Sequence, residues 1–272
     1  MSDAKKLRED EESSDDEEDD MELVVEEEVN IDFEGFTPSD EDSSGIRLLL
    51  LQLFSQEAKI NIPQLADAII SQNFIGTVLK QSESLSNDST DDDSAEDVYG
   101  IVTCYSLTRP QDDVTKSLFD HLLSKCKGSK MADENRRYFE KVLDAGAAGA
   151  SGACLGFIIN ERFVNVPPQA SRPMFEKLTE EISTATSRRH KSSFDFSHYV
   201  IICKVYAESP SKSGQSGGDL YVNAEEELFS EQSLVSFDYK ISVDDDVTKT
   251  RRVLLLSREG FQKAIITINE CL

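Results

Sequence analysis

Three glycines near the middle of the chain have a spacing that could bind a phosphate group. Gly146, Gly149 and Gly152 form a GxxGxxG pattern. A phosphate-binding loop needs such glycines between a strand and a helix start, because the backbone N–H groups there point at the anion. Here the pattern follows a predicted helix and precedes a predicted strand, and no Lys-Ser or Lys-Thr pair directly follows the glycines. We therefore predict a linker of small residues at 145–153 and not a nucleotide site.

Other motifs for catalysis or metal binding are missing from the sequence. His121, His190 and His198 have neither an HExxH spacing nor a cysteine at a recognised zinc-binding distance along the chain. The GxSxG spacing occurs at 214–218 (GQSGG), but it lies in a loop rich in Gly and Ser and not at the strand-to-helix turn of a nucleophile elbow. The neighbouring carboxylates at 112–113 and 244–246 are more typical of turns. We predict no catalytic residue, no cofactor and no metal, and we expect that the protein is not an enzyme.

The negative charge of the chain is concentrated in two segments. The 272 residues carry a net charge of −25, of which residues 1–44 contribute −17 and residues 82–97 contribute −7. The rest of the chain is therefore nearly neutral, at −1. Such a balance argues against direct binding to nucleic acid or to an anionic membrane, because phosphate contacts require Lys and Arg. It favours a basic protein partner.

Two interpretations of the acidic segments follow from charge alone. They could be solubilising arms, or they could screen the charge of a basic client protein. Ser13, Ser14 and Ser39 precede acidic runs, a context that an acidophilic kinase recognises, and phosphate there would add further negative charge. We name these three serines as candidate phosphorylation sites.

Cysteine usage and targeting signals indicate the compartment. The five cysteines are an odd number without a CxxC pair, and most lie in apolar stretches, which is typical of free thiols in a reducing compartment. The N-terminus lacks an apolar signal core, and the longest apolar runs are too short to cross a bilayer. The cytosol and the nucleus remain. Residues 188–191 (RRHK) could be a weak nuclear-import signal, although a solvated loop is the favoured interpretation.

The first third of the chain predicts a helical pair. Apolar residues on one helical face, Ile46, Leu49, Leu50 and Leu53, predict a first helix, and Pro63 opens a second one at 64–71. Before them, the alternation in residues 29–33 indicates a short strand or an extended arm. Residues 1–28 hold too little apolar surface to offset the entropy of ordering.

Strands and helices alternate in the rest of the chain. The strands are predicted at 98–107, 155–164, 199–207, 234–243 and 252–256. The helices between and after them include one with Val114, Leu118, Leu122 and Cys126 on its buried face, one at 133–143, one from Pro173, a short one with Asn223 and Glu226 at its start, and one capped by Ser257. This order predicts one α/β layered domain with a mixed sheet. The predicted organisation is a disordered acidic tail (1–28), an N-terminal arm and helical pair (29–81), an acidic linker (82–97) and the α/β domain (98–272).

Six blocks of sequence, taken together, resemble the BCCIP family. They are residues 29–36 (VNIDFEGF), 45–54 (GIRLLLLQLF), 72–81 (QNFIGTVLKQ), 99–108 (YGIVTCYSLT), 156–169 (GFIINERFVNVPPQ) and 223–229 (NAEEELF). The resemblance implies a core similar to the GCN5-related acetyltransferase fold, yet members are not known as acetyltransferases. The Gln/Arg-x-x-Gly-x-Gly/Ala loop that holds the pyrophosphate of acetyl-CoA is absent from this sequence.

The resemblance also implies a function. Family members are nuclear adaptors or chaperones, linked in fungi to a large-subunit ribosomal protein and nuclear export, and in animals to DNA repair and the cell cycle. We therefore expect a non-enzymatic nuclear protein, present also in the cytoplasm, with a basic ribosomal protein as client. The alternatives are a scaffold for repair and cell-cycle proteins and, less favoured, an acetyl-CoA-dependent acetyltransferase.

The NERFVNVPPQ block is the most specific of the six and supplies the candidate partner-binding residues. These are Glu161, Arg162, Phe163, Asn165, Pro167 and Pro168. The alternative is that the Pro-Pro pair only ends a strand and orients the next helix, because Pro restricts its own φ and the conformation of the residue before it. The glycine- and alanine-rich segment at 145–153 departs from the vertebrate members, which leaves a partner contact there in doubt.

Overall fold

The strands of the protein form one mixed sheet. The structure, a computed structural model, describes residues 32–55, 59–82, 97–109, 112–150, 153–187, 191–206, 219–244 and 247–272. The strands are β1 (Phe33–Phe36), β2 (Thr77–Gln81), β3 (Gly100–Ser106), β4 (Cys154–Arg162), β5 (Phe196–Tyr206), β6 (Leu220–Tyr221), β7 (Val235–Asp244) and β8 (Val247–Ser257). They lie in the order β1-β2-β3-β4-β5-β8-β7, and β6 pairs with β5. Only β4 and β5 are parallel among these described strands, so the predicted mixed α/β sheet is confirmed.

Helices cover both faces of this sheet. They are α1 (Ser43–Phe54), α2 (Ile62–Ser71), α3 (Asp113–Gly128), α4 (Asp133–Ala148), α5 (Ser171–Ser187), α6 (Lys191–Phe194), α7 (Glu225–Glu231) and α8 (Arg258–Cys271). Helices α1 to α4 pack in one core and α5 to α8 in the other. Successive residues of β4 alternate between the two cores: Phe157 and Ile159 belong to the first, and Ile158 belongs to the second. None of the described helices is long and apolar enough to cross a membrane.

The helical pair predicted near the N-terminus is present. The apolar face of α1 is fully buried, as its spacing predicts, and α1 packs against α2. The Asn61 side chain accepts a hydrogen bond from the Gln64 backbone N–H at 3.2 Å, which caps the start of α2 just before Pro63. The strands on either side of this pair, β1 and β2, continue the main sheet, because β2 pairs with β3 at Val78↔Ile101. Strand β2 is not predicted by the sequence pattern.

The prediction of a linker at 145–153 is wrong in its first half. Helix α4 continues through Ala148, and Gly149 ends it in the left-handed conformation with φ +59°. Gly146 faces β4: a Cβ atom at this position would lie 3.1 Å from the Leu155 Cβ. The small residues therefore let the end of α4 approach the sheet closely.

The other long helices and strands agree with the sequence apart from their bounds, whereas the short elements α6 and β6 are not predicted by the sequence pattern. The helices built on Val114 and Pro173 bury the predicted faces, and the Ser257 hydroxyl accepts a hydrogen bond from the Gly260 N–H at 3.0 Å at the start of α8. Helix α7 begins at Glu225 with Ala224 at its cap position, one residue later than the predicted cap at Asn223. Several predictions fall outside the described residues: the tail at 1–28 with Ser13 and Ser14, most of the linker at 82–97, and the RRHK segment up to residue 190.

Candidate functional site

Residues 160–163, which we call the NERF segment, lie at the end of β4, where β4 and β5 separate. The parallel ladder ends at the pair Ile158↔Ile201, although both strands continue beyond it. The chain between β6 and α7 fills the resulting gap. The Val222 N–H donates a hydrogen bond to the Lys204 carbonyl of β5 at 3.0 Å, and the Asn223 side-chain amide donates to the Asn160 carbonyl of β4 at 3.0 Å. These bonds satisfy backbone carbonyl groups that would otherwise be left unpaired in the interior.

A charged pair fastens α7 to the end of β4. The Arg162 guanidinium donates two hydrogen bonds to the Glu225 carboxylate, with Nη2 to Oε2 at 2.8 Å and Nη1 to Oε1. The Asn160 side-chain amide also donates to Glu225 Oε1, at 2.9 Å. The Glu225 side chain has no exposed surface. A bidentate pair between two planar groups is the strongest arrangement available to a buried arginine and carboxylate.

Glu226 lies beside this pair and has an unusual protonation equilibrium. Its Oε1 accepts hydrogen bonds from the side-chain amides of Asn223, at 2.8 Å, and Asn160, at 3.1 Å. Burial raises the pKa of Glu226 well above its ordinary value, and the neighbouring carboxylates of Glu225 and Glu161 raise it further. The folded protein therefore holds this proton more tightly than the unfolded chain does.

We expect that Glu226→Gln flattens the pH dependence of stability. Because the folded state holds this proton more tightly than the unfolded chain, the contribution of Glu226 to stability falls as pH rises above the unfolded pKa of about 4.3. Gln keeps the same amide-accepting oxygen but cannot ionise. Urea unfolding between about pH 5 and pH 8 measures the slope, which one such group changes by up to about 1.4 kcal/mol per pH unit. The matched control is Glu176→Gln on the surface of α5, and equal slopes for all three proteins would contradict the prediction.

A second buried pair lies on the other face of the sheet. The Lys204 ammonium donates a hydrogen bond to Glu161, whose carboxylate is buried. Burial raises the pKa of Glu161, and Lys204 opposes that rise. On the same face, the Arg251 side chain of β8 donates to the carbonyls of Leu53, at 2.8 Å, and Gln52, at 2.6 Å. Arg251 thus satisfies carbonyl groups at the C-terminal end of α1 and ties the helical pair to the sheet.

We name these residues the buried polar cluster: Asn160, Glu161, Arg162, Lys204, Asn223, Glu225, Glu226 and Arg251. Its cations are paired with carboxylates or helix carbonyls, so it acts as an internal brace between β4, β5, α7 and α1. Among the described residues, no three His, Cys, Asp or Glu side chains are placed to hold a metal ion.

The structure separates the six candidate partner-binding residues. Glu161 and Arg162 belong to the buried polar cluster, whereas Asn165 and Pro167 are exposed on the turn that follows β4. Phe163 is half-buried against Tyr99, at 6.3 Å between ring centroids. Pro168 is half-buried and begins a 3-10 turn (Pro168–Ala170) that leads into α5, and its carbonyl accepts a hydrogen bond from the Ser171 hydroxyl at 2.7 Å.

Ser39 is the one candidate phosphorylation site within the described residues. It is half-buried, and both its N–H and its hydroxyl donate to Asp42 Oδ2, at 2.8 and 3.0 Å. The other oxygen of the buried Asp42 carboxylate pairs with Lys80 at 2.5 Å. Ser39 therefore starts a capping box in the chain before α1.

The histidines and most of the cysteines within the described residues are buried or half-buried, whereas Cys271 is exposed. Burial lowers the pKa of His121 to about 4, and its Nε2 lies 3.2 Å from the Tyr239 hydroxyl. Burial also lowers the pKa of His198, whose Nδ1 lies 3.0 Å from the Ser197 hydroxyl. Burial raises the pKa of Cys104 and Cys203 well above the ordinary value, which disfavours the reactive thiolate.

Comparisons of this chain with family models, curated proteins and solved structures point to the same family. The BCCIP family model matches residues 28–235. The chain is 38% identical to the Protein BCCIP homolog of Drosophila melanogaster, over 81% of this chain and 72% of that protein. It is 34% identical to the BRCA2 and CDKN1A-interacting protein of Bos taurus, over 82% of this chain and 72% of that protein. The crystal structure of BCP1 from Saccharomyces cerevisiae has the same fold, with a TM-score of 0.57 at 21% identity over 94% of this chain and 93% of that one.

Two of the family-like blocks, NERFVNVPPQ and NAEEELF, are the segments that the buried polar cluster joins, and the family model spans both. The chain belongs to the BCCIP family.

Proposed function

We propose that this protein is a non-enzymatic nuclear chaperone, present also in the cytoplasm, for a basic ribosomal protein of the large subunit during its assembly and export. The observation that carries the proposal is the separation of charge along the chain: residues 1–44 and 82–97 hold a net −17 and −7, and the rest holds −1. Acidic segments on a nearly neutral body attract and screen a strongly basic client while the body supplies shape-specific contacts.

The described interior supports a binding role over a catalytic one. A reactive site needs a titratable group that is accessible and poised, whereas the carboxylates of the buried polar cluster are enclosed and hydrogen-bonded to neighbouring side chains. Relatives in the same family are named as interacting proteins.

A tagged pulldown from nuclear extract tests the proposal. It is run at about 0.1 M and about 1 M salt, because the Debye length falls from about 10 Å to about 3 Å between them. Mass spectrometry should find one large-subunit ribosomal protein in stoichiometric amount. Its recovery should be reduced but not abolished at high salt. A set of basic proteins that disappears completely at high salt would contradict a dedicated docking face.

A scaffold for repair and cell-cycle proteins is the second candidate. The specific observation in its favour is the name of the Bos taurus relative, the BRCA2 and CDKN1A-interacting protein. The same pulldown separates the two functions. Recovery of repair and cell-cycle proteins without a ribosomal protein would favour the scaffold and overturn the chaperone.

Acetyl transfer is the least favoured function. Its support is the acetyltransferase-like core that the family resemblance implies, and a fold does not determine an activity. Titration calorimetry with acetyl-CoA tests it directly. We expect no saturable heat, and a saturable binding curve would overturn the non-enzymatic assignment.

A further inference from the structure

Three aromatic rings form a row across the ends of β1, β3 and β4. The rings of Phe33 and Tyr99 lie 5.4 Å apart edge to face, and those of Tyr99 and Phe163 lie 6.3 Å apart in the same manner. All three side chains are only half-buried, although they pack against the core that contains α5 to α8. Each ring therefore presents part of its surface to solvent.

The turn after β4 extends this row with exposed apolar groups. Val164 is 89% exposed, the largest exposure among the large apolar residues of the described chain, and Pro167 is exposed as well. Backbone bonds hold the turn: the Phe163 N–H donates to the Tyr99 carbonyl at 2.9 Å, and the Val166 N–H donates to the Phe163 carbonyl at 3.1 Å. Since Val166 is buried beneath it, the turn holds Val164 outward in a fixed position. We call Phe33, Tyr99, Phe163, Val164 and Pro167 the turn patch.

Both acidic segments join the folded body at the edge of the turn patch. Residues 1–31 carry a net −12 and lead to Asp32, next to Phe33. Residues 83–96 carry a net −6 and run from Ser82 to Asp97, two residues before Tyr99. The Ser82 N–H donates to the Asp32 carbonyl at 2.8 Å, and the Ser82 hydroxyl donates to the Glu34 carboxylate at 2.9 Å. These bonds hold the attachment points at Asp32 and Ser82 together beside the aromatic row. Two residues after Asp97, the Tyr99 N–H donates to the Leu79 carbonyl of β2 at 2.8 Å. Asp32, Glu34 and Asp97 are themselves exposed.

We propose that the turn patch is the docking face for a basic segment of the client that carries an apolar or aromatic side chain. The inference rests on the proposed function and adds the surface and the chemistry of the contact. We choose a basic occupant because of charge complementarity. A segment bound at the turn patch lies next to the points where both acidic segments join the folded body. The negative charge accelerates the encounter with the client, and salt screens this attraction. The apolar contact holds the bound client, and its strength does not depend on charge screening. A buried apolar or aromatic anchor surrounded by polar groups is the usual form of a strong protein contact.

Val164→Glu separates the apolar contact from the charge. The change adds one negative charge, which by itself favours a basic client, so a loss of binding must come from the lost apolar contact. The matched control is Ile266→Glu on α8, where the original side chain is 56% exposed and the same charge is added. Both positions are exposed, so we expect the melting temperatures of both variants to equal that of the unchanged protein. If Val164→Glu does not fold, Val164→Ser removes the same contact without a charge.

The probe is the mixture of basic proteins extracted from purified large ribosomal subunits, applied to the immobilised full chain at about 0.1 M and about 1 M salt. We expect Val164→Glu to retain about tenfold less of the enriched protein at high salt, and Ile266→Glu to retain as much as the unchanged chain. Equal retention by Val164→Glu and Ile266→Glu would overturn the turn patch as a docking face and leave the proposed function standing. If the unchanged chain retains no ribosomal protein at either salt concentration, the proposed function falls, and the docking face falls with it.

Discussion

Replacing Glu225 with Ala should lower the free energy of unfolding by about 3–5 kcal/mol. The change leaves the Arg162 guanidinium buried without its carboxylate and also removes an acceptor from the Asn160 amide. A buried charge that loses its partner costs far more than an exposed one, because water cannot replace the missing bonds. Urea unfolding followed by circular dichroism measures the effect.

Two control variants identify the cause of this loss. Glu176→Ala on α5 breaks the exposed Arg172–Glu176 pair and should cost at most about 1 kcal/mol. The double variant Arg162→Met with Glu225→Leu removes both charges, so its unfolding midpoint should lie between those of Glu225→Ala and the unchanged protein. A double variant that is less stable than Glu225→Ala alone would show that the cost comes from packing and not from the unpaired charge.

Neutralising the acidic side chains of residues 9–20 should weaken client binding at least tenfold at about 0.1 M salt. This stretch holds ten Asp and Glu residues and no basic residue. Changing every Asp to Asn and every Glu to Gln keeps the length of the segment and removes only its charge. The logarithm of affinity should then fall less steeply with salt, because fewer charge contacts are left to screen.

Deleting residues 1–28 is the comparison for this neutralised chain. It removes 15 acidic and three basic residues, so it should weaken binding at least as much and flatten the salt dependence further. Affinity is measured by fluorescence anisotropy with the ribosomal protein that the pulldown recovers. An affinity and a salt slope equal to those of the full chain would remove the acidic tail from the mechanism.

Much of the fold is predictable because its helices and central strands have strong local patterns. The buried face of α1 repeats at helical spacing from Ile46 to Leu53, and the apolar run of β5 is long enough to predict a strand that is buried on both faces. Strand β2 escapes prediction because it is only five residues long and passes directly into acidic sequence. The end of α4 is misjudged because Gly and Ala allow a linker as readily as a close helix-to-strand contact, and only the position of Leu155 decides between them.

The buried polar cluster depends on contacts that no local pattern contains. Arg162 and Glu225 are 63 positions apart, and Lys204 and Glu161 are 43 apart. One signal in the sequence could have indicated burial: Lys204 lies within an apolar strand, and Glu161 and Arg162 lie at the end of another. A charge in such a position needs an opposite charge elsewhere in the fold. The sequence predicts a partner-binding surface or turn at residues 161–168. In the structure Glu161 and Arg162 are buried, and the turn that follows them is exposed.

The most direct test of the chaperone function is whether the full chain keeps a large-subunit ribosomal protein in solution. Proteins extracted from purified large subunits are diluted into buffer at about 0.15 M salt, with and without an equimolar amount of this protein, and the supernatant is analysed after centrifugation. We expect one basic protein to remain soluble in a 1:1 complex while the others precipitate. Equal precipitation of every ribosomal protein with and without the chain would contradict the chaperone function.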